Sequence, residues 1–363
     1  MNKLLIISSE FPPGPGGIGT HTFNIANELS NRGNDITVCT VSDYANENEK
    51  KVFDINCGFI VKRFKRHNNI FITWYMRIKL IYGVINNSQI NHVICSGRFP
   101  IWIIGCLKLW GVKRIIGILH GSEVGYGIKR KWLYFCLARS DLIIAVSNFS
   151  SSLLPKFLRR KTMVIHNGIN LEYWNVLPPK ANLGAFPILL TVGSLSIRKG
   201  QHNVINALPK IRKIFPRVHY HCVGPDSNKG TLIEQIQKLG LEDIITINGI
   251  LSHANLEKMY AKSHVIMLLV EEGPDGDVEG YGISVLEGNL FGKPAIGSMQ
   301  TGVAESIIPK VNGLLVNPKN PNEIIRALNK ILSDYNKFSE RCQKSVKRKT
   351  WSNQIRKYEK FIF

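Results

Sequence analysis

Glu279 and Glu287 stand eight positions apart in the run Asp277-Val-Glu-Gly-Tyr-Gly-Ile-Ser-Val-Leu-Glu287. The two carboxylates bracket a glycine turn at Gly280 and Gly282, and an amphipathic helix is predicted from Ile283 to Phe291. Carboxylates accept hydrogen bonds from hydroxyls, and a helix N-terminus offers backbone N–H groups and partial positive charge to a phosphate. A ligand with sugar hydroxyls and phosphates suits both groups. Were the whole run helical, eight residues would turn the chain by about 800° and put the carboxylates on different faces. The reading is therefore Glu279 in the loop, Glu287 in the helix, and the backbone of Gly282, Ile283 and Ser284 turned toward phosphate.

Three other places carry chemistry. Ser8 to Thr20 reads as strand, glycine-rich turn, helix, with Gly16 and Gly17 at the turn. Glycines let backbone N–H groups approach a phosphate, although a turn holding Pro12 and Pro13 also needs them for its shape. The run departs from the dinucleotide fingerprint and from the lysine-ended phosphate loop. Arg198 and Lys199 follow a second strand, Ile188–Val192, and precede a helix. An adjacent cation pair can neutralise a leaving diphosphate, where a bland reading makes it solvated surface. Cations at a helix start oppose its dipole, which favours a resident anion. His120 closes a strand in His120-Gly-Ser-Glu123 and is either structural or in contact with a reacting hydroxyl.

The elements that must hold these residues alternate along the chain. Apolar runs at 3–9, 35–41, 92–96, 114–120, 142–147 and 163–166 read as buried strands. Helical spacing fills 18–31, 74–85, 101–109 and 132–139 between them. The rhythm pauses at 176–184, a Pro/Gly-marked linker, and restarts with strands at 188–192, 218–223, 244–248, 265–270, 295–297 and 313–316. Residues 334–361 are helical in composition. The pattern predicts two doubly wound parallel α/β domains, with ligands at the C-terminal strand edges in a cleft between them. The expected divisions are 1–175, 176–345, and a terminal helix at 346–363 returning to the first domain.

At 363 residues two cores are the natural expectation. The formal net charge of +21 suggests a polyanionic partner. The excess is uneven: +12 over 1–175, +2 over 176–336 and +7 over 337–363. Basic residues at 62–66 precede Ile70-Phe-Ile-Thr-Trp-Tyr-Met-Arg-Ile-Lys-Leu-Ile-Tyr82, and Lys129-Arg-Lys-Trp-Leu-Tyr-Phe135 is similar. Such segments suit an anionic membrane surface; the competing reading is aromatic core packing. The seven cysteines show no paired spacing, which argues for a reducing compartment. No apolar run is long enough to span a bilayer, and no Asp/His/Cys pattern suggests a metal. The expected location is cytoplasmic, peripheral on the inner membrane's cytoplasmic face.

Together these segments resemble glycosyltransferase family 4. The resemblance rests on Glu279 to Glu287 with its continuation Gly288-Asn-Leu-Phe-Gly-Lys-Pro, Thr301-Gly-Val-Ala-Glu305 and Asn312-Gly-Leu-Leu-Val-Asn-Pro318. Phe11-Pro-Pro, Gly16-Gly17, His120-Gly121, Val146-Ser-Asn148, His166-Asn-Gly168 and Gly193 through Gly200 support it. The approach Gly276-Asp-Val-Glu-Gly280 is similar to the branch with phosphatidylinositol mannosyltransferases and surface-polysaccharide transferases. The resemblance implies the GT-B fold and retaining transfer without a metal or other cofactor, from a UDP- or GDP-sugar. It implies an acceptor hydroxyl, such as that of a lipid-linked oligosaccharide in O-antigen, capsule or other surface glycan synthesis. It assigns Lys199 and Arg198 to the diphosphate, Glu279 to the sugar, Glu287 to the ribose, Gly17 to the phosphate and His120 to the reacting sugar. Many members have Arg where this chain has Ser194, which makes Arg198 the candidate substitute.

Two other classes remain open from sequence. A nucleotide-sugar 2-epimerase would use the same donor without an acceptor. A basic nucleic-acid-binding protein would fit the charge, but no recognition motif supports it and no nucleic-acid partner is expected.

Overall fold

The computed structural model describes residues 2–41, 46–65, 67–176, 187–227 and 230–363. Its contacts divide it into two compact units, Met1–Asn167 with Trp351–Phe363, and Gly168–Thr350. The division falls eight residues before the one expected near 175, and the returning segment begins at Trp351. The predicted linker lies outside the described residues from 177 onward.

The first unit holds strands β1 (Lys3–Ser8), β2 (Asp35–Thr40), β3 (Ile60–Arg63), β4 (His92–Ser96), β5 (Arg114–Leu119), β6 (Leu142–Ala145) and β7 (Thr162–Val164). They form a parallel sheet in the order β3-β2-β1-β4-β5-β6-β7. Its helices are α1 (Gly17–Asn31), α2 (Glu47–Ile55), α3 (Ile70–Ser88), α4 (Arg98–Trp102), α5 (Ile104–Leu109), α6 (Gly127–Leu137), α7 (Asn148–Ser152) and α8 (Lys156–Arg159). The central strands are covered on both faces, so Leu4–Ile7 and Ile143–Ala145 are fully buried without alternation. The strand order reverses between β1 and β4, and that switch point opens a crevice at their C-terminal ends.

The second unit repeats the plan. Strands β8 (Ile188–Val192), β9 (His219–Val223), β10 (Ile245–Ile247), β11 (Val265–Leu268), β12 (Ala295–Ser298) and β13 (Gly313–Val316) run parallel in the order β10-β9-β8-β11-β12-β13. The helices are α9 (Gln201–Ile214), α10 (Thr231–Leu239), α11 (His253–Lys262), α12 (Ile283–Leu290), α13 (Pro321–Ser333) and α14 (Tyr335–Val346). Here the switch point lies between β8 and β11. A final helix, α15 (Trp351–Ile362), belongs to the first unit and packs on α1.

Several elements differ from the sequence reading. The helix expected at 101–109 is two, α4 and α5, broken at Ile103. The helical stretch after Asp334 is likewise broken, between Val346 and Trp351. Helix α3 starts four residues early because the Asn69 side chain accepts from the N–H groups of Phe71 and Ile72. Strand β3 overlaps the start of the basic run at Lys62 and Arg63 and is half exposed at the sheet edge, where charged side chains deter further pairing. Helix α2 buries no residue and is held by an Asn46/Glu49 capping box. All seven cysteines are free thiols.

Candidate functional site

In the second unit, β8 delivers Gly193 and Ser194, and a single 3-10 turn, Ile197–Lys199, precedes α9. Gly193 has φ of 141°, and a Cβ there would meet Lys199 Cε at 2.7 Å. The missing side chain lets the lysine stem lie along the strand end. Lys199 Nζ then reaches Glu279 Oε2 at 2.8 Å. Arg198 bonds the same oxygen and also Asp277, with Nε 3.0 Å from Oδ2. The other oxygen of Glu279 accepts from Gly282 N at 3.1 Å. Burial would raise the Glu279 carboxyl, but Lys199 and Arg198 outweigh it and hold the group down to about 2.

Helix α12 begins immediately beyond. Gly282 caps it at φ 80°, and the first turn leaves the N–H groups of Ile283 and Ser284 outside the helical ladder. The buried Ser284 Oγ has no hydrogen-bond partner among the described residues. Glu287 lies on the second turn and accepts from Tyr260 O–H at 2.6 Å. Burial pushes the Glu287 carboxyl up, opposed by that bond and by Lys199. Tyr260 is stacked on Phe291 at 5.5 Å, with Trp174 edge-on at 5.7 Å. Ser194 is engaged through its carbonyl, which accepts from Gln201 Nε2 at 3.1 Å. A cavity of about 350 Å³ beside α9, lined by His202, Asn203, Glu271 and Lys319 among others, contains none of the residues singled out from sequence.

In the first unit, Gly16 caps α1, and a Cβ on it would strike Glu10 Oε2 at 2.2 Å. Gly17 is exposed at the first position of the helix. His120 sits just past β5, and its Nε2 is 3.0 Å from Ser96 Oγ at the end of β4. Thr22 Oγ1 donates to Ser96, and Ser8 is 3.0 Å from Thr22. The His120 ring stands perpendicular to His21 at 4.7 Å. His21 is fully buried; its Nε2 lies 3.0 Å from Tyr358 O–H, and its ring meets Trp351 at 5.1 Å. Burial, and then His120, lower His21 well below the ordinary histidine range.

Arg198, Lys199, Glu279 and Gly282 thus converge, with α12 and Glu287 attached. His120, Gly16 and Gly17 occupy the first unit's strand ends. Sequence reasoning missed Asp277, His21, Tyr358 and Trp351. Asp277 lies two residues before Glu279, a spacing that in extended chain puts both on one side. Nothing local marks His21 and Tyr358, which are 337 positions apart. Of the aromatic run, Trp74 turns inward against Phe99 and Trp102, while Phe71, Tyr75 and Tyr82 are exposed. Among the described residues, no three His, Cys, Asp or Glu side chains are grouped to hold a metal ion.

Residues 15–173 match the family model Glycosyltransferase Family 4, and residues 178–349 match Glycosyl transferases group 1. The chain is 25% identical over 350 residues to the GDP-mannose-dependent alpha-(1-6)-phosphatidylinositol monomannoside mannosyltransferase of Mycolicibacterium smegmatis, covering 91% of this chain and 89% of that one. Its structure is similar to sucrose-phosphate synthase from Thermosynechococcus elongatus, with a TM-score of 0.80, 18% identity and coverage of 99% and 98%. It is also similar to Anabaena HepE in complex with UDP-glucose, with a TM-score of 0.78, 19% identity and coverage of 99% and 100%.

Proposed function

This chain belongs to glycosyltransferase family 4, retaining enzymes of GT-B fold that take a sugar from a nucleotide-sugar, and we propose that it moves a hexose or N-acetylhexosamine from a UDP- or GDP-sugar to a hydroxyl acceptor. The observation that carries this reading is the joint ion pairing of Arg198 and Lys199 with Glu279 at the end of β8. The similar mannosyltransferase uses GDP-mannose and the similar Anabaena structure holds UDP-glucose, which frames the choice of donor.

Binding is an exchange of partners. The diphosphate takes Lys199 and Arg198, and the N–H groups of Ile283 and Ser284 face its oxygens. Glu279, released from its cations, accepts hydrogen bonds from the sugar hydroxyls. Glu287 serves the ribose, Gly16 and Gly17 the phosphate, and His120 the reacting sugar. In the transfer, the anomeric carbon–oxygen bond to the diphosphate breaks and its electron pair leaves with the phosphate. The acceptor oxygen bonds to the same face of the anomeric carbon, and its proton passes to a diphosphate oxygen. The two cations stabilise the charge that develops on the leaving group.

Thermal shifts with UDP, GDP, ADP and their sugars test the donor site. One diphosphate should stabilise the protein, and much less so a Lys199→Ala variant; no response to any of them overturns the assignment.

A lipid-linked acceptor, as in surface glycan synthesis, is the finer reading, and the exposed surface of the first unit favours it. Phe71 is 81% exposed on α3 and Ile128 84% on α6, with Tyr75, Trp132 and Phe135 on the same two helices. Both helices flank α4, and Lys79, Lys129, Arg130 and Lys131 lie among these side chains. Aromatic groups for the headgroup region and cations for anionic lipid occur together. Among the described residues no helix is long and apolar enough to cross a membrane. Peripheral binding, on the cytoplasmic face, predicts sedimentation with acidic vesicles that weakens with salt. Equal, salt-insensitive binding to neutral vesicles would remove the electrostatic part.

A further inference from the structure

The loop after β5 contains a carboxylate that the reaction above does not use. Glu123 is 2% exposed. Its Oε2 accepts from the backbone N–H groups of His120 at 3.1 Å and Gly121 at 2.9 Å. Its Oε1 is buried and has no hydrogen-bond partner among the described residues. An asparagine or serine could tie a loop through neutral atoms, whereas an ionised oxygen buried without a partner is costly. The loop is also pinned from outside, where Arg98 at the start of α4 donates to the Ser122 carbonyl at 2.9 Å.

His120 is therefore constrained on both sides. Ser96 and His21 fix the ring, and Glu123 grips the main chain that carries it. We propose that Glu123 is a positioning residue for sugar transfer, holding the His120–Gly121 backbone so that the His120 ring keeps one orientation. The inference rests on the assignment of His120 to the reacting sugar.

Burial pushes the Glu123 carboxyl up to about 7, with the backbone donors and Arg98 opposing. The groups that face it are Arg98 from α4 and His120 in its own loop. Behind His120 stand His21 from α1, kept neutral by burial, and Tyr358 from α15. The clamp is strongest when Glu123 is ionised, so it tightens as pH rises through about 7.

The test uses the whole chain with UDP-glucose and GDP-mannose as donor probes, following the one that is consumed. Glu123→Gln keeps an amide oxygen for both N–H groups but cannot ionise. Its turnover at pH 8 should therefore stay at the level wild type shows below pH 7, without the rise through pH 7. Glu123→Ala should lower kcat on the order of tenfold to a hundredfold, the scale of a small misplacement, with nucleotide-diphosphate binding unchanged. The amide resonances of His120 and Gly121 should titrate with a midpoint near 7 in wild type and not in Glu123→Gln. That spectrum keeps the proposal testable even if Glu123→Ala fails to fold. Wild-type turnover by Glu123→Ala beside an inactive His120→Ala overturns this inference alone, as do amides that do not titrate. Wild-type turnover by His120→Ala overturns the His120 assignment and this inference with it.

Discussion

Glu123 and Glu279 are carboxylates in loops beyond strand ends, one in each unit, after β5 and after β11. Glu123 is buried and accepts from the backbone N–H groups of His120 and Gly121; Glu279 is nearly buried and accepts from that of Gly282. Their acidities move in opposite directions, to about 7 for Glu123 and about 2 for Glu279. The difference lies in the cations. Arg98 bonds a neighbouring carbonyl and reaches Glu123 only through space, whereas Lys199 and Arg198 bond Glu279 itself. Backbone donors and a distant guanidinium do not offset the burial of Glu123; two contacting cations offset that of Glu279. The comparison also runs against bulk charge. The segment 1–175 carries the large basic excess, yet it is the near-neutral second segment that brings two cations, Arg198 and Lys199, onto one carboxylate.

The sharpest way to break this contrast is Lys199→Ala. It removes a cation from both Glu279 and the proposed diphosphate site, and turnover should fall by about 10²–10³, the scale for losing one preorganised charge stabiliser. Turnover within a few-fold of wild type would show that Arg198 alone suffices.

Next in size is the dependence of stability on pH. Glu279 is depressed from 4.5 to about 2, so its contribution is fully present above pH 4.5 and is lost as pH falls toward 2. Glu123 is raised from 4.5 to about 7, so its contribution is present below pH 4.5 and is lost as pH rises through 7. Each amounts to roughly 3 kcal/mol by linkage. These two groups alone therefore favour a stability maximum near pH 4.5. Denaturant unfolding of Glu279→Gln should flatten the acid limb, and Glu123→Gln the neutral one. A single variant that flattens both limbs would sink the pairing.

Tyr260→Phe is smaller. It removes the hydrogen bond from Tyr260 to Glu287, costing about 1.5–3 kcal/mol for a charge-assisted bond. It should weaken nucleotide binding more than it weakens binding of inorganic diphosphate, measured by calorimetry. Ser194→Ala is smallest: the carbonyl does the bonding here, so diphosphate affinity should change by less than about twofold.

The strands were legible because a parallel sheet covered on both faces leaves continuous apolar runs, as in Leu4–Ile7 and Leu189–Leu190. The Glu279–Glu287 spacing was legible because a glycine turn and a helix start are local signals. Edge and surface elements were not: β3 is four half-exposed residues, and α2 buries nothing. Asp277 was visible as an acid, but its pairing with Arg198 is a tertiary fact. The grip of Glu123 on His120 spans only three residues, yet its meaning depends on Ser96 and His21, brought there by sheet order and helix packing.

Helix α15 has a consequence for synthesis. Its Tyr358 and Trp351 complete the surroundings of His21, yet they are translated only after the entire second unit. A ribosome-bound chain stalled before residue 351 would carry all seven strands of the first sheet while His21 lacked its Tyr358 partner. The second unit can close during translation, whereas the first, although made earlier, matures last.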